Sequence, residues 1–347
     1  MIVRVRDVRI GEKILAETTL LVDAKGTRHG LVPLGGLSVV GGSTGSGKTL
    51  LAEALWLGIS WSVAQLAGLK EVVLAVYNAS AIRPLSLVFE AEMEDHEIPG
   101  GTRIAAKISR GVLESINVNP ETVDKQALAY ALAHVVSLPH TLRETFYSSS
   151  ALPLILIKEL VFGDKPCDLL LPIVPPVAVR KGMEEYYVCH ARAFNLEVGV
   201  VLEEKEGGGY YAGASTGEIS REILRYYREA LQALRERAKE LGVSLMPMAI
   251  IDDAFDGLDG RALGDVAKSA NSPTWSLYAL THRTEAADYA ERVLVLGYGL
   301  RANNLASKPS DFRFALIDIE RLDYDLHLEF CEKVIVGDKS RCEQVRE

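Results

Sequence analysis

The chain is poor in the features that let a protein hold together without a large packed core. Its four cysteines (Cys167, Cys189, Cys331, Cys342) include no Cys-x-x-Cys pair. No zinc site or disulfide framework is therefore written into it, and a reducing cytoplasm is the expected setting. Long apolar runs are missing as well. The longest, Leu169 to Val179, has eleven residues and contains Pro172, Pro175 and Pro176, whereas a membrane span needs about 20. Membrane insertion is not expected. Low-complexity segments, internal repeats and sustained heptads are absent too, which sets aside disorder and a long coiled coil. Asn and Gln number only seven and four beside plentiful charge, a bias shared with thermophile proteins. The formal net charge of −9 argues against a surface coated in nucleic acid and leaves room for a local basic patch.

What is present is ordinary globular composition over 347 residues, enough for one large domain or two lobes with a sizeable core. Residues 2–10 alternate apolar and charged side chains, a strand pattern rather than a signal peptide. Further strands are expected at 14–23, 36–40, 71–77, 85–92, 102–109 and 112–118. A helix is expected over Glu121 to Val136, and 138–183 has no clear period. A strand pair at 184–204 ends in the Gly207-Gly208-Gly209 turn. From Thr216 to about Leu241 the period is helical. Strands at 245–251, 276–280 and 293–296 then alternate with a helix over 263–270, which implies a parallel sheet covered by helices.

Two motifs carry chemistry. Gly42-Ser43-Thr44-Gly45-Ser46-Gly47-Lys48-Thr49 satisfies G-x-x-x-x-G-K-[ST] in full, with a strand before it and a helix continuing through Leu50. Glycines let backbone N–H groups curl around phosphates, and the helix start adds its positive end. Lys48 is placed to reach the outer phosphates of a nucleotide and the Thr49 hydroxyl to ligate Mg²⁺. Met248-Ala249-Ile250-Ile251-Asp252-Asp253 is an apolar strand ending in two carboxylates. Asp252 can hold Mg²⁺, and Asp253 can polarise an attacking water.

Ser215-Thr216-Gly217-Glu218 precedes this strand, and Ala254-Phe255-Asp256-Gly257-Leu258-Asp259 and Thr281-His282-Arg283 follow it. In that order the motifs resemble an ABC-type ATPase, and within that superfamily the SMC/RecF group of DNA-repair and chromosome-maintenance ATPase heads. The resemblance implies an α/β fold of the P-loop NTPase type. It would be a two-lobed head with a strand-rich subdomain, a parallel-sheet core, and ATP and Mg²⁺ as cofactors. It implies ATP-driven homodimerisation, with Ser215, Thr216, Gly217 and Glu218 as the signature reaching the nucleotide held by the other subunit. It further implies that Asp259 contacts that subunit, that His282 senses the γ-phosphate, and that DNA and a partner protein such as a nuclease are engaged. Segments around Ser86–Glu90, Arg103–Arg110 and Ile116–Pro120 are similar to the strand-rich arm of such heads.

The chain also departs from the pattern. Thr216 stands where glycine is commoner, and Asp253 where a glutamate usually acts as base. Neither Gln65 nor Gln126 is assigned as the glutamine of the metal site, for which 138–160 is the candidate replacement, and only fifty residues separate Glu159 from Tyr210, where coiled-coil members insert hundreds. The expected division is 1–118 (phosphate loop and strand-rich arm), 119–209 (insert), 210–300 (signature helix, metal strand and switch histidine) and 301–347 (extension). The alternatives are a transporter subunit, though no aromatic residue precedes Trp56 to stack adenine, and an interaction switch with little turnover. Three Tyr-Tyr doublets (186–187, 210–211, 226–227) are read as straddling element faces rather than stacking bases. Arg4, Arg6, Arg9, Arg103, Lys107 and Arg110 are read as a solvated strand face.

Overall fold

A computed structural model of the chain describes residues 1–10, 13–16, 31–41, 48–70, 73–74, 77, 84, 86–93, 98, 101–140, 203–205, 209–211, 217, 220–221, 224–225, 227–228, 231–232, 235–236, 245–296 and 313–314. In chain order the elements begin β1 (Ile2–Ile10), β2 (Lys13–Ala16), β3 (Gly36–Gly41), α1 (Lys48–Ala67), β4 (Ser86–Glu92), β5 (Arg103–Ser109), β6 (Val112–Asn119), α2 (Lys125–Ala133) and β7 (Val135–Leu138). They continue with β8 (Glu203–Lys205), β9 (Gly209–Tyr211), β10 (Met248–Asp252), α3 (Gly260–Ala270), β11 (Ser276–Thr281), β12 (Arg292–Leu296) and β13 (Arg313–Phe314).

Two larger sheets form. One has the order β2-β1-β4-β5-β6 and is antiparallel throughout. Its strands alternate, with Val3, Val5, Leu87, Phe89, Ala91, Ile104, Ala106 and Ile108 buried, as suits a sheet with one wet face. On that wet face Arg6 pairs with Glu90 at 3.1 Å, Arg103 with Glu92 at 3.0 Å and Lys107 with Glu114 at 2.8 Å, and Arg4 also meets Glu90. Cross-strand ion pairs fit the reading of a solvated face.

The other sheet has the order β13-β12-β3-β11-β10-β7, and every pair is parallel. Its central strands β3, β10 and β11 are buried at every position, because helices cover both faces. On one face Met248, Ile250, Tyr278 and Leu280 pack with α1 and α2. On the other, Ala249, Ile251, Leu277 and Ala279 pack with α3 and with Leu224, Tyr227 and Leu231. These last three lie in a helical segment, since the described residues between 217 and 236 are all helical.

Helix α1 lies between the two sheets and touches both. It is long and apolar enough to cross a membrane, but it is mostly buried inside the protein; a helix wet on no side reads as apolar all round. Gly58 permits a close approach of α1 to β4, since a Cβ there would come within 2.4 Å of the Phe89 side chain.

Two expectations need correction. The run 71–77 is not a strand: Val73, Leu74 and Tyr77 are helical. Val73 and Tyr77 are both buried at an i, i+4 spacing, which a short apolar run leaves ambiguous. The helix expected over 121–136 stops at Ala133, and Val135–Leu138 forms a strand paired with β10. Asp124 starts that helix by accepting hydrogen bonds from the Gln126 and Ala127 amides. The β-branched Val135-Val136 pair leaves it for the sheet. Tyr227 of the third tyrosine doublet is buried at 1% exposure, a core position with no face for a base.

Candidate nucleotide site

Because the strands of the second sheet all run parallel, their carboxyl ends share one edge. Gly41 of β3 sits opposite Thr281 of β11, and Asp252 of β10 opposite Leu280. Such an edge is where α/β sheets bind ligands. Helix α1 begins at Lys48, with six residues between it and the end of β3, so Lys48 and Thr49 stand over this edge. Along β10 the side chains alternate, and Asp252 shares the parity of Met248 and Ile250, which face α1. The same alternation turns it towards Lys48.

Lys48 and Asp252 are both buried, at 7% and 1% exposure. Burial holds the Lys48 ammonium below its ordinary pKa, while the charges of Asp252 and Asp253 act against that shift. Burial, reinforced by the neighbouring Asp253 charge, pushes the Asp252 carboxyl up to about 6; the Thr49 hydroxyl, the Lys48 charge and the His140 amide oppose it. The His140 N–H donates to Asp252 Oδ2 at 3.4 Å. Asp252 Oδ1 is buried with no hydrogen-bond partner. A buried carboxylate oxygen left over beside a threonine hydroxyl is a donor set that fits a hard divalent cation such as Mg²⁺.

Asp253 carries a φ of 47°, a left-handed conformation that Asp tolerates better than most residues. The chain turns sharply there, and Asp253 Oδ1 faces His282 Nδ1 at 3.8 Å. His282 follows β11 directly and is half exposed. Lys48, Thr49, Asp252, Asp253 and His282 are thus brought to one edge by three elements distant in sequence.

The rest of the motif set is placed differently. Asp259 is the N-cap of α3, its Oδ1 accepting from the Ala262 amide at 2.7 Å. Gly217 lies on the turn after β10, where a Cβ would come within 2.5 Å of the Gly257 carbonyl oxygen. Ser220 Oγ donates to the Asp256 carbonyl at 2.8 Å. Leu50 is buried within α1. Residues Gly42, Ser43, Thr44, Gly45, Ser46, Gly47, Ser215, Thr216 and Glu218 lie outside the described residues, as do the four cysteines.

Sequence reasoning gave no role to His140 or Arg283. His140 has no motif around it; its only signal is the Val-Val-Ser-Leu run before Pro139, whose two valines fall in the helix expected over 121–136. Arg283 was visible beside His282, but its partner, the Leu258 carbonyl, is main chain and leaves no mark in a sequence.

No protein-family model and no curated protein matches the chain. Solved structures similar to it include an Smc head bound to the C-terminal winged-helix domain of ScpA, 15% identical over 88% of this chain and 98% of that one, with a TM-score of 0.39. A Pyrococcus furiosus Smc head with an extended coiled coil, bound to the C-terminal domain of ScpA, is 14% identical over 88% and 96%, TM-score 0.39. The SMC head domain of Thermotoga maritima is 13% identical over 92% and 100%, TM-score 0.31. The chain itself pairs an all-parallel sheet with an antiparallel one.

Proposed function

We propose that the chain is an SMC/RecF-like ATPase head that binds and hydrolyses ATP, and whose nucleotide-dependent homodimerisation serves DNA repair or chromosome maintenance in the cytoplasm. The observation that carries this reading is the meeting of Lys48, Thr49 and Asp252 at the carboxyl edge of the parallel sheet, with Asp252 Oδ1 buried and unpartnered. Thr49 and Asp252 would hold Mg²⁺, which when bound neutralises phosphate charge. Lys48 binds phosphate oxygens from the start of α1, where the helix end adds its own positive potential. Asp253 orients a water and takes up its proton. His282, within reach of Asp253, contacts the terminal phosphate. In the dimer, Ser215 to Glu218 of each chain would close over the nucleotide of the other, with Asp259 at the seam.

A second reading, an ATP-gated interaction switch with little turnover, draws support from Asp253. Its carboxylate is one methylene shorter than a glutamate base, and misplacement by about 1 Å can cost about 100-fold in rate. Light scattering and phosphate release with and without ATP, Mg²⁺ and DNA separate the two. A chain that binds ATP and dimerises with measurable release supports hydrolysis. Dimerisation without release supports the switch. If ATP neither binds nor changes the oligomeric state, both fail, and a lack of response to DNA removes the repair assignment.

A further inference from the structure

The turn that follows Asp253 is held from three sides. Within it, the Asp256 amide donates to the Asp253 carbonyl at 3.0 Å and the Leu258 amide to the Phe255 carbonyl at 3.3 Å. From the helical segment that includes residue 217, Ser220 Oγ takes the Asp256 carbonyl and Gly217 lies against the Gly257 carbonyl. From the end of β11, Arg283 Nη1 takes the Leu258 carbonyl. The main chain of Arg283 is fixed in turn, its amide donating to Thr281 Oγ1 at 3.0 Å. One residue earlier, His282 faces Asp253, so the contacts close into a ring around the site.

We propose that Arg283 is a positioning residue that makes the switch histidine, the 254–259 turn and the helical residues Gly217 and Ser220 move as one body. This deepens the ATPase reading and rests on it: a displacement of His282 or Asp253 on nucleotide binding is delivered to Gly217 and Asp259. Two features suit Arg283 to the task. Its guanidinium spans the gap between β11 and the turn, with Nη2 also meeting Glu285 at 3.3 Å, and a planar fork holds two acceptors in fixed geometry. Gly217 lies so near the Gly257 carbonyl that there is no room for a Cβ between them, so these packed neighbours shift together rather than absorb the movement.

The test is hydrogen exchange by mass spectrometry on the full chain, without nucleotide and with ATP and Mg²⁺, alongside phosphate release and the affinity for a fluorescent ATP analogue. Without nucleotide, Arg283→Ala is expected to raise exchange across 254–259 by about tenfold, from loss of a charged hydrogen bond. Exchange across 248–252 should not change, and Arg283→Lys should restore most of the protection. With nucleotide, analogue affinity should stay within about twofold while turnover falls by about tenfold or more. The ATP-dependent protection of 217–221 expected in wild type should also be lost.

Unchanged exchange in the turn, or ATP protection at 217–221 that survives in Arg283→Ala, overturns the proposal. So does a general loss of protection across β10 and β11 with affinity falling in step, the mark of a merely structural arginine. A wild-type chain that binds no ATP sinks the nucleotide reading and the delivery with it, whereas the nucleotide-free exchange still decides whether Arg283 ties the turn.

Discussion

Gly217 and Gly257 are packed so closely that a Cβ on the first would lie 2.5 Å from the carbonyl oxygen and 3.1 Å from the carbonyl carbon of the second. Neither atom belongs to a side chain that can swing aside. Gly217→Ala should therefore destabilise the protein by about 1–3 kcal/mol, the usual cost of overpacking, although alanine is the better helix former. Ser220→Ala, which removes only the bond to the Asp256 carbonyl, should cost about 1 kcal/mol. Urea unfolding of the two variants checks the order; a Gly217→Ala variant as stable as wild type would mean that this contact is looser than described.

Asp252 contributes a pH dependence to stability in the absence of Mg²⁺. Its carboxyl titrates near 6 when folded against an ordinary value of 3.8. Between those values the folded chain holds a proton that the unfolded chain has released, so stability falls as pH rises through this window and the full penalty is present above it. The penalty is on the order of 2–3 kcal/mol. Asp252→Asn should stabilise the metal-free protein by a similar amount at pH 7.5 and by little at pH 4, as read by denaturant melts at both values. Mg²⁺ should raise the stability of wild type at pH 7.5 and not that of the variant.

Asp253 combines a left-handed backbone with a carboxylate facing His282. Asparagine keeps the backbone preference and removes the charge, so Asp253→Asn should fold normally, bind ATP and dimerise, with phosphate release lower by about 10²–10⁴-fold. Asp253→Glu restores the longer base at the expense of strain in the turn. It should lose stability while keeping measurable turnover. Turnover of Asp253→Asn at the wild-type rate would remove Asp253 from the chemistry.

Asp259 has a cap role that the structure displays and an interface role that is proposed, and two substitutions separate them. Asp259→Ser keeps a side-chain acceptor for the Ala262 amide, whereas Asp259→Ala loses it and should cost about 1 kcal/mol. If Asp259 also reaches the other subunit, both variants should weaken ATP-dependent dimerisation in light scattering, with only the alanine variant less stable. A serine variant that dimerises as wild type confines Asp259 to its cap.

Much of the site was legible because its parts are short and local. An apolar strand ending in two carboxylates can be read from Met248 to Asp253, and a strand pattern followed by Lys48 and a helical run marks the helix start. His140 was not legible: its amide reaches Asp252 only because β7 pairs with β10, and pairing across more than a hundred residues leaves no local signature. The run 71–77 failed for a different reason, since seven apolar-rich residues satisfy the strand and helix periods almost equally, and the burial of Val73 and Tyr77 at i, i+4 spacing decides between them.

Local chemistry in the sequence determined which residues could serve: a glycine-rich loop before Lys48, carboxylates at the end of an apolar strand, a histidine after another. These follow from backbone sterics and from the periods of 2 and 3.6, which act within a few residues. Only the tertiary structure decided what state those groups are in. Asp252 is an ordinary carboxylate in the unfolded chain. It becomes a reluctant anion once the parallel sheet and α1 exclude water around it and set Asp253, Lys48 and Thr49 at its sides, because desolvation and near charges depend on distances that no sequence spacing encodes.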